Sequence, residues 1–295
     1  MTSPEKARPE RLDLREVSRL LDTEIVGRTM ACEEEMLSTN QFLLDAVAGG
    51  EAVPGLVALC ESQSAGRGRQ RRLWHSPPGK NLYLSVLWKS RQPAQRLPQL
   101  AMLAALALHQ AMKQCLPELR VGLKWPNDLW DSKGRKLSGI LCECPPTNRA
   151  DAAERWAVIG IGVNVNAQPE DFPPELSRTA ASLAIDCGHA ISREKLLALL
   201  LNSLDGLLAE WEASAGFGGF VERWNRHDIL KGRRITVDLP GNTALSATVL
   251  GVTPEGLLQV ASGSGGKPLV VSAGDVHLHL DAGDAAHPAF SPSSD

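Results

Sequence analysis

The sequence predicts an α+β chain that ends in a small β barrel, and three observations predict it. Two long apolar stretches with helical periodicity, Leu97–Cys115 and Ile191–Trp211, are too long for strands. Short Val-, Ile- and Leu-rich runs at 55–59, 81–88, 121–125, 137–144 and 156–165 read as strands. Between Gly232 and Leu280 the texture changes to five short β-rich runs separated by turn signals, Pro240-Gly241-Asn242 and Pro254-Glu255-Gly256 among them. Five strands in so few residues suggest a small barrel.

From the start, residues 1–12 read as a disordered leader. Leu14–Leu21 forms a short helix with Leu14, Val17, Leu20 and Leu21 on one face. A strand precedes Ser38. Ser38 followed three residues later by Gln41 is a capping-box pattern, so a helix starts there. Gln63–Lys80, rich in Gly, Arg, Ser and Pro, is a long loop. Pro98 falls in the first turn of the 97–115 helix, where proline is tolerated. Pro126 ends the strand before it. The expected division is 1–12 leader, 13–230 catalytic domain, 231–280 barrel, and 281–295 disordered tail.

A net charge of -3 argues against a non-specific nucleic-acid binder. The charged N-terminus carries no apolar run behind it, so no secretory signal is expected. The longest apolar run, Leu100–Leu108, is half of what a membrane span needs. The six cysteines show no framework, which predicts free thiols in a reducing cytoplasm. Cys142 and Cys144 share a strand face without a second pair or a nearby His, so no metal site is expected and both are expected only to pack.

Four motifs carry candidate chemistry. Gly66-Arg67-Gly68-Arg69-Gln70-Arg71-Arg72, with Trp74, combines glycines that let a ligand approach the backbone with arginines that neutralise phosphate or carboxylate. A solvated basic loop and a nucleic-acid patch are the competing readings. Lys124-Trp125-Pro126-Asn127-Asp128 presents Asp128, able to orient an amine, at a strand end; taken alone, a turn in which Asn and Asp bond their own backbone explains it better. Gly134-Arg135-Lys136-Leu137-Ser138-Gly139 puts Lys136 at a strand start as a point charge for an anion, or simply in solvent. Gly160-Ile161-Gly162-Val163-Asn164 lacks the third glycine and the helix of a dinucleotide fingerprint, which excludes that reading.

Taken in order, Ser38-Thr39-Asn40, Gln63 with the Gly/Arg loop, KWPND, GRKLSGI and GIGVNVN closely resemble the biotin–protein ligase family, from about Glu24 to Leu280. The resemblance implies a mixed β-sheet backed by helices, akin to class II aminoacyl-tRNA synthetases, with an SH3-like C-terminal barrel. It implies an ATP-dependent ligase that forms biotinyl-5′-adenylate and passes biotin to a lysine of a biotin carboxyl carrier domain. ATP and biotin would be substrates, with Mg²⁺ carried on the ATP. Ser38, Thr39, Asn40, Gln63, Gly66, Arg67, Gly68, Arg69, Trp74, Lys136, Gly139 and Asn164 would contact biotin or the adenylate; Arg69, Lys136 and Asp128 would be catalytic. Where the family usually has glycine, this chain has Arg71, which would be strained if the position needs a positive φ. The stretch before Ser38 is too short for a winged helix-turn-helix, so no DNA binding is expected. Monomer and homodimer both stay open. A lipoate or octanoate transferase of related fold, and an arginine-loop nucleic-acid module, are the alternatives.

Overall fold

In a computed structural model, residues 11–146, 153–239, 243–262, 267–272 and 276–278 are described. Seven strands form the main sheet: β1 (Met30–Met36), β2 (Val57–Gln63), β3 (Leu82–Ser90), β4 (Val121–Lys124), β5 (Asp128–Asp131), β6 (Lys136–Glu143) and β7 (Arg155–Val163). Their order is β1-β2-β3-β7-β6-β5-β4. Only β1 and β2 run parallel; every other neighbouring pair is antiparallel, which makes the sheet mixed, as expected.

Period-2 alternation splits each central strand between two faces. Val57, Leu59, Leu82, Leu84, Val86 and Trp88 enter the large core under α3 (Gln99–Cys115) and α5 (Arg193–Glu212). Ala58, Cys60, Tyr83, Leu87 and Val158 face the other way, onto α2 (Thr39–Ala48) through Leu43. Helix α1 (Leu14–Leu20) packs on α5. Three short elements were not foreseen: β5, α4 (Leu183–Cys187) and α6 (Val221–His227).

The capping box at Ser38 does not form. Helix α2 begins where the pattern placed it, but the Ser38 side chain makes no cap bond. Gln41 turns outward instead, donating to Asp45 and accepting from Arg67. Gln63 Oε1 takes over the exposed N–H of Thr39, at 3.0 Å. A neighbouring strand therefore satisfies the first N–H of the helix, a different donor from the Gln41 N–H that a Ser38 cap would take.

The second sheet contains β8 (Arg234–Leu239), β9 (Thr243–Val252), β10 (Leu258–Ala261), β11 (Leu269–Val271) and β12 (Val276–Leu278), ordered β11-β10-β9-β8-β12 and antiparallel throughout. The segment leading into it and its β9–β10 turn are tied to the rest of the chain by direct bonds. Ile229 N donates to Leu123 O at 2.9 Å, Trp125 Nε1 to Gly256 O at 3.0 Å, and Gln99 Nε2 to Glu255 O at 3.0 Å. All six cysteines are free, and Cys144 is exposed rather than packed. Leu12 is described and donates its N–H to Glu61. The expected leader, up to residue 10, and the tail lie outside the described residues. No described helix is long and apolar enough to cross a membrane.

Candidate active site

Side chains from α2, β2, β3, β6, β7 and the 64–80 loop converge on one face of the main sheet. Its floor is made of glycines. Gly139 on β6 pairs with Gly162 on β7, and Gly160 lies between Leu141 on β6 and Ser85 on β3. The missing side chains are occupied by others. A Cβ on Gly160 would stand 2.1 Å from Asn40 Oδ1, and one on Gly162 would stand 2.5 Å from the Trp74 ring. The two glycines of the GIGVN run therefore admit Asn40 and Trp74 to the sheet surface, which explains them without any dinucleotide.

At the α2 end, Ser38, Thr39 and Asn40 are almost fully buried. Asn40 Nδ2 donates to Glu143 Oε2 at 2.7 Å and to Leu141 O at 3.2 Å. Ser85 Oγ lies 2.6 Å from Asn40 Oδ1 and 2.7 Å from Thr39 Oγ1. Gln63 Nε2 donates to Ser76 Oγ, which bonds Trp74 O. The bonds shared among Asn40, Ser85, Thr39 and Gln63 hold this polar cluster in place.

At the other end stand the cations. Lys136 Nζ is 2.7 Å from Asp128 Oδ1 and 5.5 Å from the Trp74 ring centre. The contact to Asp128 is an ion pair without hydrogen-bond alignment. Arg69 Nη1 reaches Asn127 Oδ1 at 3.4 Å, and Asn127 is fixed by donating Nδ2 to Ile140 O. Trp74 Nε1 is buried with no protein partner. The two cations are thus anchored on adjacent residues, Lys136 on Asp128 and Arg69 on Asn127.

The 66–74 loop is closed by the Arg67–Leu73 bridge and by Gly68 N donating to Arg72 O. Gln70 and Arg71 both sit in the left-handed region, at φ 54 and φ 60. The position where a glycine was expected does need a positive φ, and Arg71 adopts it.

A model of the biotin/lipoate A/B protein ligase family matches residues 34–164. A biotin--[acetyl-CoA-carboxylase] ligase of Mycobacterium tuberculosis is 31% identical over 95% of this chain and 100% of its own length. This chain belongs to the biotin protein ligase family. The bifunctional ligase/repressor BirA of Bacillus subtilis is 30% identical over 89% of this chain and 78% of the relative. The fold agrees: the biotin protein ligase of Aquifex aeolicus, solved with biotin and ATP, superposes with a TM-score of 0.72 at 23% identity, over 85% of this chain and 99% of that one.

Within this member of the family, the structure gathers Thr39, Asn40, Gln63, Gly66, Trp74, Lys136, Asp128 and Gly139 around one surface, with Arg69 beside Asn127. Arg67 is exposed and bonded to Gln41, away from the cations. Asn164 is almost fully buried and serves the backbone, donating Nδ2 to Lys136 O at 3.4 Å. Three residues of the site were missed: Asn127, Ser85 and Glu143. Glu143 had a signal, since a strand over 137–144 already puts it on the same face as Gly139.

Proposed function

We propose that the chain activates biotin with ATP and transfers it to a lysine of a biotin carboxyl carrier domain. The supporting observation is the two-ended surface: a neutral, fully ordered polar cluster at Thr39, Asn40 and Gln63, and two cations at Lys136 and Arg69, separated by a glycine floor. Such a surface suits a ligand with a polar ring at one end and a carboxylate at the other. Of the comparisons, the relatives named as biotin ligases favour biotin, whereas the family model alone spans biotin and lipoate ligases.

The biotin carboxylate attacks the α-phosphorus of ATP, and pyrophosphate leaves, giving biotinyl-5′-adenylate. Two anions must meet, so Lys136 and Arg69 offset their repulsion and hold the charge that grows on the phosphoryl oxygens. Lys136 would exchange its partner Asp128 for the ligand, which releases Asp128. In the second step Asp128 orients the carrier lysine, whose amine attacks the acyl carbon, and AMP leaves. Trp74 would pack against the adenylate, with Ser38, Gly66, Gly68 and Gly139 completing the pocket. Mg²⁺ would ride on the triphosphate, which supplies the hard oxygens it prefers. The reaction fits a cytoplasmic protein.

We also propose that residues 13–230 are the catalytic domain and that 231–280 close into an SH3-like barrel. In the described part of that division, the second sheet has the five strands such a barrel needs. We propose no DNA-reading role for the segment before β1, whose single described helix, α1, has seven residues and packs on α5.

The test is exchange of labelled pyrophosphate into ATP. It should require biotin, and Lys136→Ala and Arg69→Ala should each lower it by roughly 10²–10³ while leaving the urea midpoint near that of the wild type. Full exchange in both variants would refute the assigned roles.

A further inference from the structure

Glu143 has no place in the chemistry above, yet it terminates the polar cluster. Its carboxylate accepts from Asn40 Nδ2 at 2.7 Å, and Leu141 O accepts from the same nitrogen at 3.2 Å. Both partners can only accept. The Asn40 amide therefore has one orientation, with Oδ1 turned toward Ser85.

Proton counting then runs along the chain. Asn40 Oδ1 can only accept, so the Ser85 hydroxyl, 2.6 Å away, donates to it. A hydroxyl has one proton. In its second contact, 2.7 Å from Thr39 Oγ1, Ser85 must accept, and Thr39 donates. The single Thr39 proton is then spent. Its 3.3 Å contact with Gln63 Oε1 is left without a proton, and Gln63 Oε1 is served by the Thr39 backbone N–H at 3.0 Å. With its proton spent on Ser85, Thr39 Oγ1 has only lone pairs left to offer.

We propose that Glu143 is a positioning residue that fixes the proton order of the relay Glu143–Asn40–Ser85–Thr39, and so makes Thr39 an obligate acceptor for a ligand N–H. This rests on the functional reading above and deepens it. A cyclic urea carries N–H donors in its ring; a dithiolane carries none. Glu143 therefore acts at a distance on ring specificity, without touching the ligand or the reacting atoms. Glycine at 160 is part of the device, because Asn40 reaches both ends of its span only by lying where a Cβ would stand.

The experiment uses the full chain and the biotin-dependent pyrophosphate exchange, with KM for biotin and kcat measured separately. Glu143→Met removes the acceptor and Ser85→Ala cuts the relay in the middle. Each should raise KM for biotin about tenfold, the scale of one lost hydrogen bond, with kcat within about twofold. Glu143→Gln can still present an oxygen to Asn40 and should stay within about threefold of wild type in KM. The double variant Glu143→Met/Ser85→Ala should be no worse than either single one, because both break the same relay. Multiplying effects, or a loss in kcat rather than KM, would overturn the proposal. A parallel urea-unfolding cycle of the same variants reads the coupling without any ligand. If the wild type showed no biotin-dependent exchange, the functional reading would fall and the ligand half of this inference with it. Coupled stabilities would then still establish the relay, and additive stabilities would dismiss it.

Discussion

Replacing Gly160 with alanine puts the glycine floor to its hardest test. The new Cβ would stand 2.1 Å from Asn40 Oδ1, 2.8 Å from its Cγ and 3.0 Å from its Nδ2. Restoring an ordinary 3.4 Å separation demands a displacement of about 1.3 Å at the oxygen. The Ser85–Asn40 bond, now 2.6 Å, then leaves hydrogen-bonding range, and the bonds to Glu143 and Leu141 are strained with it. The alternative, in which β7 retreats, is blocked because Gly160 is paired on both sides, to Ser85 and Leu141. Two or three bonds at about 1 kcal/mol each, plus overpacking of about 1 kcal/mol, give a loss of about 3 kcal/mol. Urea denaturation would report it, and KM for biotin should rise by well over tenfold. Gly206 is the control: it is exposed on α5 and nothing lies within 4 Å of its would-be Cβ. Gly206→Ala should stabilise by roughly 0.5–1 kcal/mol. If Gly160→Ala unfolds within about 0.5 kcal/mol of the wild type and keeps its biotin KM, the packing argument for this site is wrong.

Three further outcomes follow from the same geometry. Arg71→Gly should stabilise the apo protein by roughly 1 kcal/mol, the scale of a left-handed conformation at a residue with a side chain, and calorimetry would show a higher Tm; an unchanged or lower Tm would contradict the strain. His109, buried against His227 with ring centres 4.2 Å apart, is held down to about 3 mainly by desolvation, so the unfolded chain takes up its proton first and stability is lost as pH falls from about 6.5. Asp228, fully buried, is pushed up to about 7 by desolvation, so its contribution runs the other way, lost as pH rises from about 4 toward 7. The two slopes oppose each other between about pH 4 and 6.5. Asp228→Asn removes one of them and should leave stability rising with pH across that window by about one proton, read from urea midpoints at pH 4.5, 5.5 and 6.5. A flat or falling profile would refute the assignment.

The elements legible in the sequence are those whose signal is local. The five C-terminal strands stood out because their turns are marked, as by Pro254-Glu255-Gly256. Helices α3 and α5 stood out by length and apolar periodicity. What was not legible depends on neighbours. Asp128–Asp131 is too short and follows a possible Asn127-Asp128 turn, so it gives no strand signal by itself; it becomes β5 between β4 and β6. Helices α4 and α6 have five and seven residues, below the length at which a helix holds without tertiary packing. At the start of α2 the first N–H is met by Gln63, which is distant in sequence and which no local pattern shows.

For the site, motif order picked out residues that the fold gathers on one surface, but it did not give their wiring. Lys136 and Asp128 were singled out separately, and only the β5–β6 pairing shows that they neutralise each other. Glu143 shares a strand face with Gly139, which the sequence shows, but one acidic residue between two cysteines forms no motif that marks it out. Its meaning comes from Asn40, which lies 103 positions away along the chain.

The central claim is tested most directly by mass spectrometry of a purified biotin carrier domain after incubation with this protein, biotin, ATP and Mg²⁺. The account predicts a mass gain of one biotin on a single lysine, lost when ATP is omitted and sharply reduced with Lys136→Ala. A carrier that gains nothing with biotin, or gains only when lipoate or octanoate is supplied instead, would contradict it.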